Sequence, residues 1–482
     1  MNKKFIISFV FLLTLLGGFL RFYKNTTNPI SLSIDEVSSG YSAYSILKTA
    51  RDENNEFMPL VFRSTGDYKN PILVYTLIPA IALFGLNEFS VRFTTALFGT
   101  LCIPLFFFLL KSLVRGNKVA IAGSTLLTLS PWHIYYSRFA HDTLIGLFII
   151  MLGMLFFLKM LEGKKKFIIL SAITFALSIY TYHSERLFVP LFLITYSVFN
   201  FKKLKSKSVL IFLLVFSVSI IPAIYLAIFK GANTRVNTVF LAQDIDYTRY
   251  VILDHIQSKG ELLMLFFFWV KRYLNYMQPE FLFSNGLNMT INGILGMGIF
   301  YLFELPWLLI GIFGIIREKI THRLFIVAWI LVGIIPASLA NNEYSASSVL
   351  LILPPILLII SLGAIRFFEL IKSIKNKYLG WGIIYLYGFF ITVILLKATL
   401  IFSIHFPIQR GEAFMEGTKE SVLYAINSKD KYHEIVYDPY RGIEAPYIVN
   451  IPYMYILFYS QYDPLHYQNE VKKYGNDFFR FD

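Results

Sequence analysis

Long apolar runs alternate with short basic turns along most of the 482 residues, and run length is the first informative quantity. A helix needs roughly 20 apolar residues to cross about 30 Å of hydrocarbon. Eleven stretches come near that length: 5–22, 89–110, 118–136, 143–161, 167–182, 187–201, 208–229, 297–316, 324–340, 348–366 and 378–400. The expected fold class is an all-α polytopic membrane protein. The connections Lys111 to Lys118, Lys159 to Lys166, Lys202 to Lys207, Arg317 to Arg323 and Arg366 to Lys377 are short and basic, and with Lys3 and Lys4 they mark the cytoplasmic side. The other side then receives 23–88, 132–142, the turn His183 to Arg186, 230–296, Asn341 to Ser348 and everything after about 401. Two further apolar stretches, Pro71 to Gly85 and Glu261 to Met277, would invert the charge pattern downstream if they crossed. They are expected as helices lying at the outer surface. Residues 1–400 thus form the membrane module. Residues 401–482, rich in Tyr, Asp and Pro, form a small extracytoplasmic α/β domain, short enough that it is expected to lean on the membrane part.

Composition narrows the class without changing this picture. A 56% hydrophobic share, 15% charged residues and a mean hydropathy of +0.60 exclude an ordinary soluble globular protein. The formal charge of +14 follows from the cytoplasmic turns, so it is assigned to topology and not to nucleic acid. The single cysteine, Cys102, excludes a disulfide within the chain and a multi-cysteine metal site. Met1 to Phe22 has the outline of a signal peptide but no small-residue cleavage site, and is expected to stay as the first helix. No internal repeat is evident, which weighs against a secondary transporter.

The candidate chemistry gathers on the outer side. Ser33-Ile34-Asp35-Glu36 has the form of a capping box, with Ser33 as N-cap and Glu36 three residues on. That motif explains Ser33 and Glu36 but does not require Asp35, whose carboxylate at a helix start has the chemistry of a general base or a metal ligand. Thr65 to Pro71 is a turn-rich segment carrying Asp67 and Lys69. Lys69 lies where a lipid phosphate would sit, with a snorkelling headgroup contact as its plainer role. Arg138 and Asp142 are spaced i, i+4, which predicts an ion pair on one helix face. Arg186, beside His183 and Glu185, serves equally as a phosphate ligand or a helix-end cation. Glu304 falls within an apolar run, where an ionisable group is a functional candidate by default. His133, His141 and His183 lack metal-binding spacing, so no metal is assigned, and there is no Gly-rich phosphate loop or Gly-x-Ser-x-Gly elbow.

In the order of these parts the chain resembles the GT-C superfamily of membrane glycosyltransferases, in the branch of the protein O-mannosyltransferases and the lipid A aminoarabinose transferase. The resemblance covers most of residues 5 to 370. It rests on Asp35-Glu36 after the first span, Gly66-Asp67-Tyr68-Lys69-Asn70-Pro71, Phe84-Gly85 through Glu88 to Arg92, Ser130-Pro131 to Asp142, Glu304-Leu305-Pro306 with Gly311, and Leu353-Pro354-Pro355. It implies a sugar carried on a polyprenyl phosphate and transferred outside the cytoplasm to a protein, lipid or glycan acceptor, usually with inversion. It also implies Asp35 as the catalytic acid-base residue with Glu36 beside it. Lys69 and Arg138 would be donor-phosphate ligands, Asp142 would hold Arg138, and Arg186 is a looser match. Asp67 and Glu304 enter as supporting residues. No cofactor is implied with certainty, although a divalent metal is compatible with such a site.

The chemistry suits that inventory. A phosphate leaves as an anion near neutral pH, its second pKa being near 6, so a base for the acceptor hydroxyl and fixed positive charge suffice. The chain departs from its relatives before the Leu353-Pro354-Pro355 span. They often carry a His and an Arg there, and this chain reads Asn341-Asn342-Glu343-Tyr344-Ser345-Ala346-Ser347-Ser348. The loop 230–296 is too short for the extra β-trefoil domain of the eukaryotic mannosyltransferases, which points to a bacterial-type member. Two other readings use the same spans: a lipid or glycan transporter, and a non-catalytic subunit.

Overall fold

The computed structural model describes residues 2–64, 67–114, 116–199, 207–229, 240–241, 258–287, 293–317, 322–341, 344–436, 440–441, 447–448 and 452–474. Much of the loop 230–296 and the Tyr437-Asp438-Pro439 motif lie outside the described residues.

The chain opens with α1 (Lys3–Phe22) and α2 (Ile34–Thr49). A short hairpin follows, β1 (Phe62–Ser64) paired antiparallel with β2 (Asp67–Lys69) and aligning Phe62 with Lys69. Pro71, whose missing N–H costs nothing in a first turn, starts α3 (Pro71–Phe84), and Gly85 at φ 75° ends it. The bundle continues with α4 (Glu88–Val114), α5 (Asn117–Leu129), α6 (Pro131–Tyr136), α7 (Asp142–Leu161), α8 (Phe167–Ile179), α9 (His183–Phe199) and α10 (Lys207–Phe229). Beyond it come α11 (Ser258–Asn275), α12 (Glu304–Arg317), α13 (Arg323–Ser338), α14 (Leu353–Lys372) and α15 (Lys377–Leu400). Three helices end the described chain: α16 (Thr418–Ser428), α17 (Pro452–Tyr459) and α18 (Pro464–Tyr474).

Among the described residues, six helical stretches are long and apolar enough to cross a membrane: Lys3–Phe22, Glu88–Val114, Asp142–Leu161, Lys207–Phe229, Leu350–Lys372 and Lys377–Gln409. The chain is a multi-pass helical membrane protein. Several expected spans are recut. The stretch 118–136 divides at Ser130-Pro131, because Pro131 has no N–H to continue the ladder and Ser130 recaps the chain by accepting from His133 N at 3.3 Å. The stretch expected over 297–316 becomes helical only at Glu304.

Two apolar cores result. One runs through the bundle, with Trp132, Trp329 and Phe175 among its fully buried side chains. The second joins Leu32, Val37, Tyr41, Phe62, Leu77 and Val91 to Val422, Tyr455, Leu457 and Phe458 of the tail. The tail from about 401 therefore shares its core with α2 and α3. Its described part holds helices joined by turns and irregular stretches, and one two-residue ladder, Tyr440–Arg441 against Tyr447–Ile448. Tyr455 Oη donates to Leu32 O at 2.9 Å, and Gln468 Nε2 donates to Asp52 O at 2.9 Å and to Thr49 Oγ1 at 2.8 Å.

Candidate active site

The site is built around the start of α2. Ser33 and Glu36 form the expected capping box: Glu36 N donates to Ser33 Oγ at 3.4 Å, and Ser33 N donates to Glu36 Oε2 at 2.9 Å. Glu36 goes further than a cap. Its carboxylate also accepts from Arg92 Nε at 2.9 Å, Arg92 Nη2 at 3.2 Å and Ala140 N at 3.0 Å, and both side chains are fully buried. Arg92 spends its remaining donors on the carbonyls of Asn25, Pro29 and Ser31. Every lone-pair direction of Glu36 is thus committed to protein groups. As a buried brace it has no path to a substrate, so the pairing of Glu36 with Asp35 as a catalytic couple is corrected to one exposed and one structural carboxylate.

Asp35 sits one position earlier and faces outward, its side chain 80% exposed. Its Oδ1 lies 3.6 Å from Lys69 Nζ. Lys69 arrives at the end of β2, and its ammonium is buried with no hydrogen-bond acceptor within reach among the described residues. Asn70, next in sequence, receives a hydrogen bond from Arg186 Nη2 through its Oδ1, and Arg186 Nε also donates to Ile179 O at 3.4 Å. One carboxylate and two cations predicted from separate stretches therefore meet through a single hairpin end. The side chain of Asp67 lies outside the described residues.

Arg138 is placed differently from expectation. Helix α6 ends at Tyr136, so Arg138 and Asp142 do not share a helix face and the expected i, i+4 pair does not form. Arg138 instead donates to Leu20 O at 2.8 Å, Tyr23 O at 2.7 Å and Asn28 O at 3.0 Å and 3.1 Å, with its guanidinium over the Phe402 ring. It is 4% exposed and has been absorbed into the wall. Asp142 opens α7, close to the fully buried Glu185. Glu304, buried at the first residue of α12, turns back to accept from Tyr301 N at 2.8 Å.

Asn70, Arg92 and a buried acidic pair, Asp52 and Glu53, were not singled out by the sequence. Glu53 accepts from Ser42 Oγ at 3.0 Å, and its other oxygen is buried without a partner. Burial pushes both carboxyls up; the Asp52 charge adds to the rise at Glu53 and the Glu56 charge to the rise at Asp52, while the Lys69 ammonium opposes the rise at Glu53. Arg92 carried a visible signal, since it closes a motif of the family resemblance. Asp52 and Glu53 read as an ordinary polar turn. Among the described residues, no group of three His, Cys, Asp or Glu side chains is placed to hold a metal ion.

Comparison with known proteins bears on this arrangement. The family model described as dolichyl-phosphate-mannose-protein mannosyltransferase matches residues 69–226, a stretch that begins at Lys69. No match was found among curated protein sequences. Among solved structures, ArnT from Cupriavidus metallidurans bound to undecaprenyl phosphate superposes with a TM-score of 0.56 at 11% identity, covering 98% of this chain and 88% of ArnT. The archaeal oligosaccharyltransferase AglB from Archaeoglobus fulgidus, in complex with an inhibitory peptide and a dolichol-phosphate, gives a TM-score of 0.56 at 13% identity. That match covers 95% of this chain and 64% of AglB. The chain therefore shares its overall fold with ArnT and AglB.

Proposed function

We propose that the chain transfers a sugar from a polyprenyl-phosphate donor to an acceptor hydroxyl on the extracytoplasmic face of the membrane, with inversion at the anomeric carbon. The observation that carries this reading is the exposed Asp35 carboxylate 3.6 Å from the buried Lys69 ammonium, with Arg186 joined to the same hairpin end through Asn70. Both ArnT and AglB, the folds it resembles, are described with a polyprenyl-type phosphate bound.

The chemistry follows from competition for Lys69. A donor phosphate is a stronger partner for an ammonium than one carboxylate, because it offers more charge and more acceptor oxygens. As phosphate takes Lys69 and Arg186, Asp35 is released next to the reacting centre. The acceptor oxygen then attacks the anomeric carbon, the bond from that carbon to the phosphate oxygen breaks, and its electron pair leaves with the phosphate. The hydroxyl proton passes to Asp35. Lys69 and Arg186 stabilise the growing negative charge from fixed positions. Arg138, with its donors already on carbonyls, holds the wall and not the phosphate.

The test is transfer of labelled sugar from polyprenyl-phosphate donors in proteoliposomes, wild type against Asp35→Asn. Transfer by the wild type that falls at least a hundredfold in the variant is the expected result, since a positioned general base contributes about 10²–10⁴-fold. Equal transfer by both removes Asp35 from the chemistry. Absence of transfer by either, across several sugar donors, favours transport or a non-catalytic role.

A further inference from the structure

One feature stands outside the phosphate machinery just described. Before the Leu353-Pro354-Pro355 helix this chain places three serines, and the structure ties them into a network of hydroxyls. Tyr182 Oη lies 3.2 Å from Ser347 Oγ and 3.4 Å from Ser348 Oγ. Ser345 Oγ lies 3.1 Å from Ser347 Oγ and donates to Ser348 Oγ at 2.8 Å. Ser345 N donates to Tyr276 Oη at 2.9 Å. The His141 ring packs against Tyr182 with centroids 5.6 Å apart, and its Nδ1 accepts from Thr143 N at 3.2 Å, which leaves Nε2 to carry the proton when the ring is neutral.

The position of this network matters as much as its content. Tyr182 precedes Arg186 by four residues across the start of α9, and Arg186 is the cation bonded to Asn70. The hydroxyl cluster is thereby linked, through Tyr182, to the helix start that carries Arg186. Tyr182, His141 and the three serines are all partly exposed, whereas Tyr276 is buried behind them. Serine and tyrosine hydroxyls each donate and accept, and they can reverse direction by rotating about one bond. A sugar ring presents the same two-way hydroxyls, with C–H faces that pack on aromatic rings. Among the described residues no lysine or arginine hydrogen-bonds to the Tyr182 and serine hydroxyls, and the Arg272 guanidinium acts on Tyr276, which lies buried behind them. The hydroxyls that would meet a sugar thus offer hydrogen bonds and no counter-charge for a uronate or phosphorylated ring. Of the nearby carboxylates, Glu185 is fully buried against Gly146 and Thr181, and Asp142 caps the start of α7.

We propose that Tyr182, Ser345, Ser347 and Ser348, with His141, form the subsite for the sugar of the donor, and that this sugar is an uncharged polyhydroxylated ring. This inference rests on the donor reading given above. The cluster sets which donor is accepted, and the cations Lys69 and Arg186 set that a phosphate is accepted at all.

The experiment measures binding of two probes to purified protein in nanodiscs: bare polyprenyl phosphate, and polyprenyl phosphate carrying a neutral hexose. Wild type is compared with Tyr182→Phe and with the Ser347→Ala/Ser348→Ala double variant. Gel filtration checks that each is folded, and the Phe variant keeps the ring so that packing is retained. The wild type should hold the hexose-bearing donor more tightly than the bare carrier. Each variant should lose roughly five- to tenfold of that preference, in line with one or two hydrogen bonds, while its affinity for bare carrier stays at the wild-type value. Retention of the full preference in both folded variants overturns the subsite with the phosphate reading intact. Tighter wild-type binding of an aminosugar or uronate donor than of the hexose donor overturns the assignment of an uncharged ring. Failure of the wild type to bind even the bare carrier overturns the donor reading and, with it, the subsite.

Discussion

Exchanging Glu36 for Gln separates the two neighbouring carboxylates of α2 by experiment. The Glu36 carboxylate accepts five hydrogen bonds, from Ser33 N, Ser33 Oγ, Arg92 Nε, Arg92 Nη2 and Ala140 N, and is the only carboxylate paired with Arg92 among the described residues. Glutamine keeps one acceptor oxygen, but its amide N–H₂ turns donors toward donors, either at Arg92 or at the Ser33 and Ala140 amides. The guanidinium then stays buried with carbonyl partners and no counter-charge. Removing one partner of such a buried pair costs about 3–5 kcal/mol. That is a large share of the roughly 5–15 kcal/mol that holds a typical protein folded. Asp35→Asn removes a carboxylate that is 80% exposed and 3.6 Å from its partner, and an exposed pair of that kind contributes no more than about 1 kcal/mol. The assay heats detergent-solubilised samples, scores the fraction surviving gel filtration, and runs sugar transfer on the unheated protein. Glu36→Gln should lose its fold at clearly lower temperature, with Asp35→Asn close to wild type in stability and deficient in transfer. If Glu36→Gln survives heating as wild type does, or Asp35→Asn falls with it, the division of labour is wrong.

The other predictions address the cations and the buried acids. Arg138→Lys replaces a planar fork that serves four carbonyl contacts with a point charge, and should lower stability by about 2–3 kcal/mol while donor affinity of the folded fraction holds. Reduced donor affinity at unchanged stability would restore Arg138 to the phosphate site. Lys69→Met should weaken binding of bare polyprenyl phosphate at least tenfold, with partial rescue by Lys69→Arg, and equal affinity in all three proteins would exclude Lys69 as a ligand. Burial, then the adjacent Asp52, pushes the Glu53 carboxyl from its ordinary 4.5 up to about 7. The folded chain therefore holds a proton that the unfolded chain has released, so the stability Glu53 contributes is whole below pH 4.5 and is lost as pH rises through about 7. Glu53→Gln should flatten that limb of a stability-against-pH curve, and the same slope in wild type and variant would show that Glu53 does not titrate there.

What the sequence made legible was local. The capping box at Ser33 and Glu36 spans three residues, and α3 announces itself through Pro71 and an apolar run. The i, i+4 rule failed at Arg138 and Asp142 because it presumes a continuous helix, and Pro131 restarts the chain while Ser137 to His141 leave it non-helical. Glu304 shows a related limit. The apolar run hid where the helix begins, and the buried acid at its first residue accepts the N–H of Tyr301 just ahead of it. Contacts between distant stretches had no local signature. Asp35 and Lys69 were each candidates, but their meeting depends on the turn of a hairpin, and Arg92 reaches Glu36 across 56 residues. The tail's size and composition suggested that it would lean on the membrane part, but not where, and its apolar residues pack into the core that α2 and α3 begin.

Three buried arginines, Arg21, Arg92 and Arg138, explain why an exposed Asp35 can be held at a fixed angle. Between the end of α1 and the start of α2 the backbone is irregular, and its carbonyls need donors that no helix supplies. Arg138 serves Leu20, Tyr23 and Asn28, and Arg92 serves Asn25, Pro29 and Ser31. Arg21 reaches Gly17 O at 2.9 Å and Leu127 O at 3.2 Å, tying the end of α1 to the end of α5, and adds a contact of 2.8 Å to His133 Nδ1. Side chains from α1, α4 and the α6–α7 turn thereby fix a loop whose own backbone bonds are short turns onto Phe22 O and Lys24 O. Burying three cations is costly, and among the described residues Glu36 is the one carboxylate paired with any of them. A flexible loop would have needed none of this. The arrangement makes sense if the residue that follows the loop must stay in place while its partner changes from Lys69 to a substrate proton, since a catalytic group gains most when the surrounding frame does not reorganise.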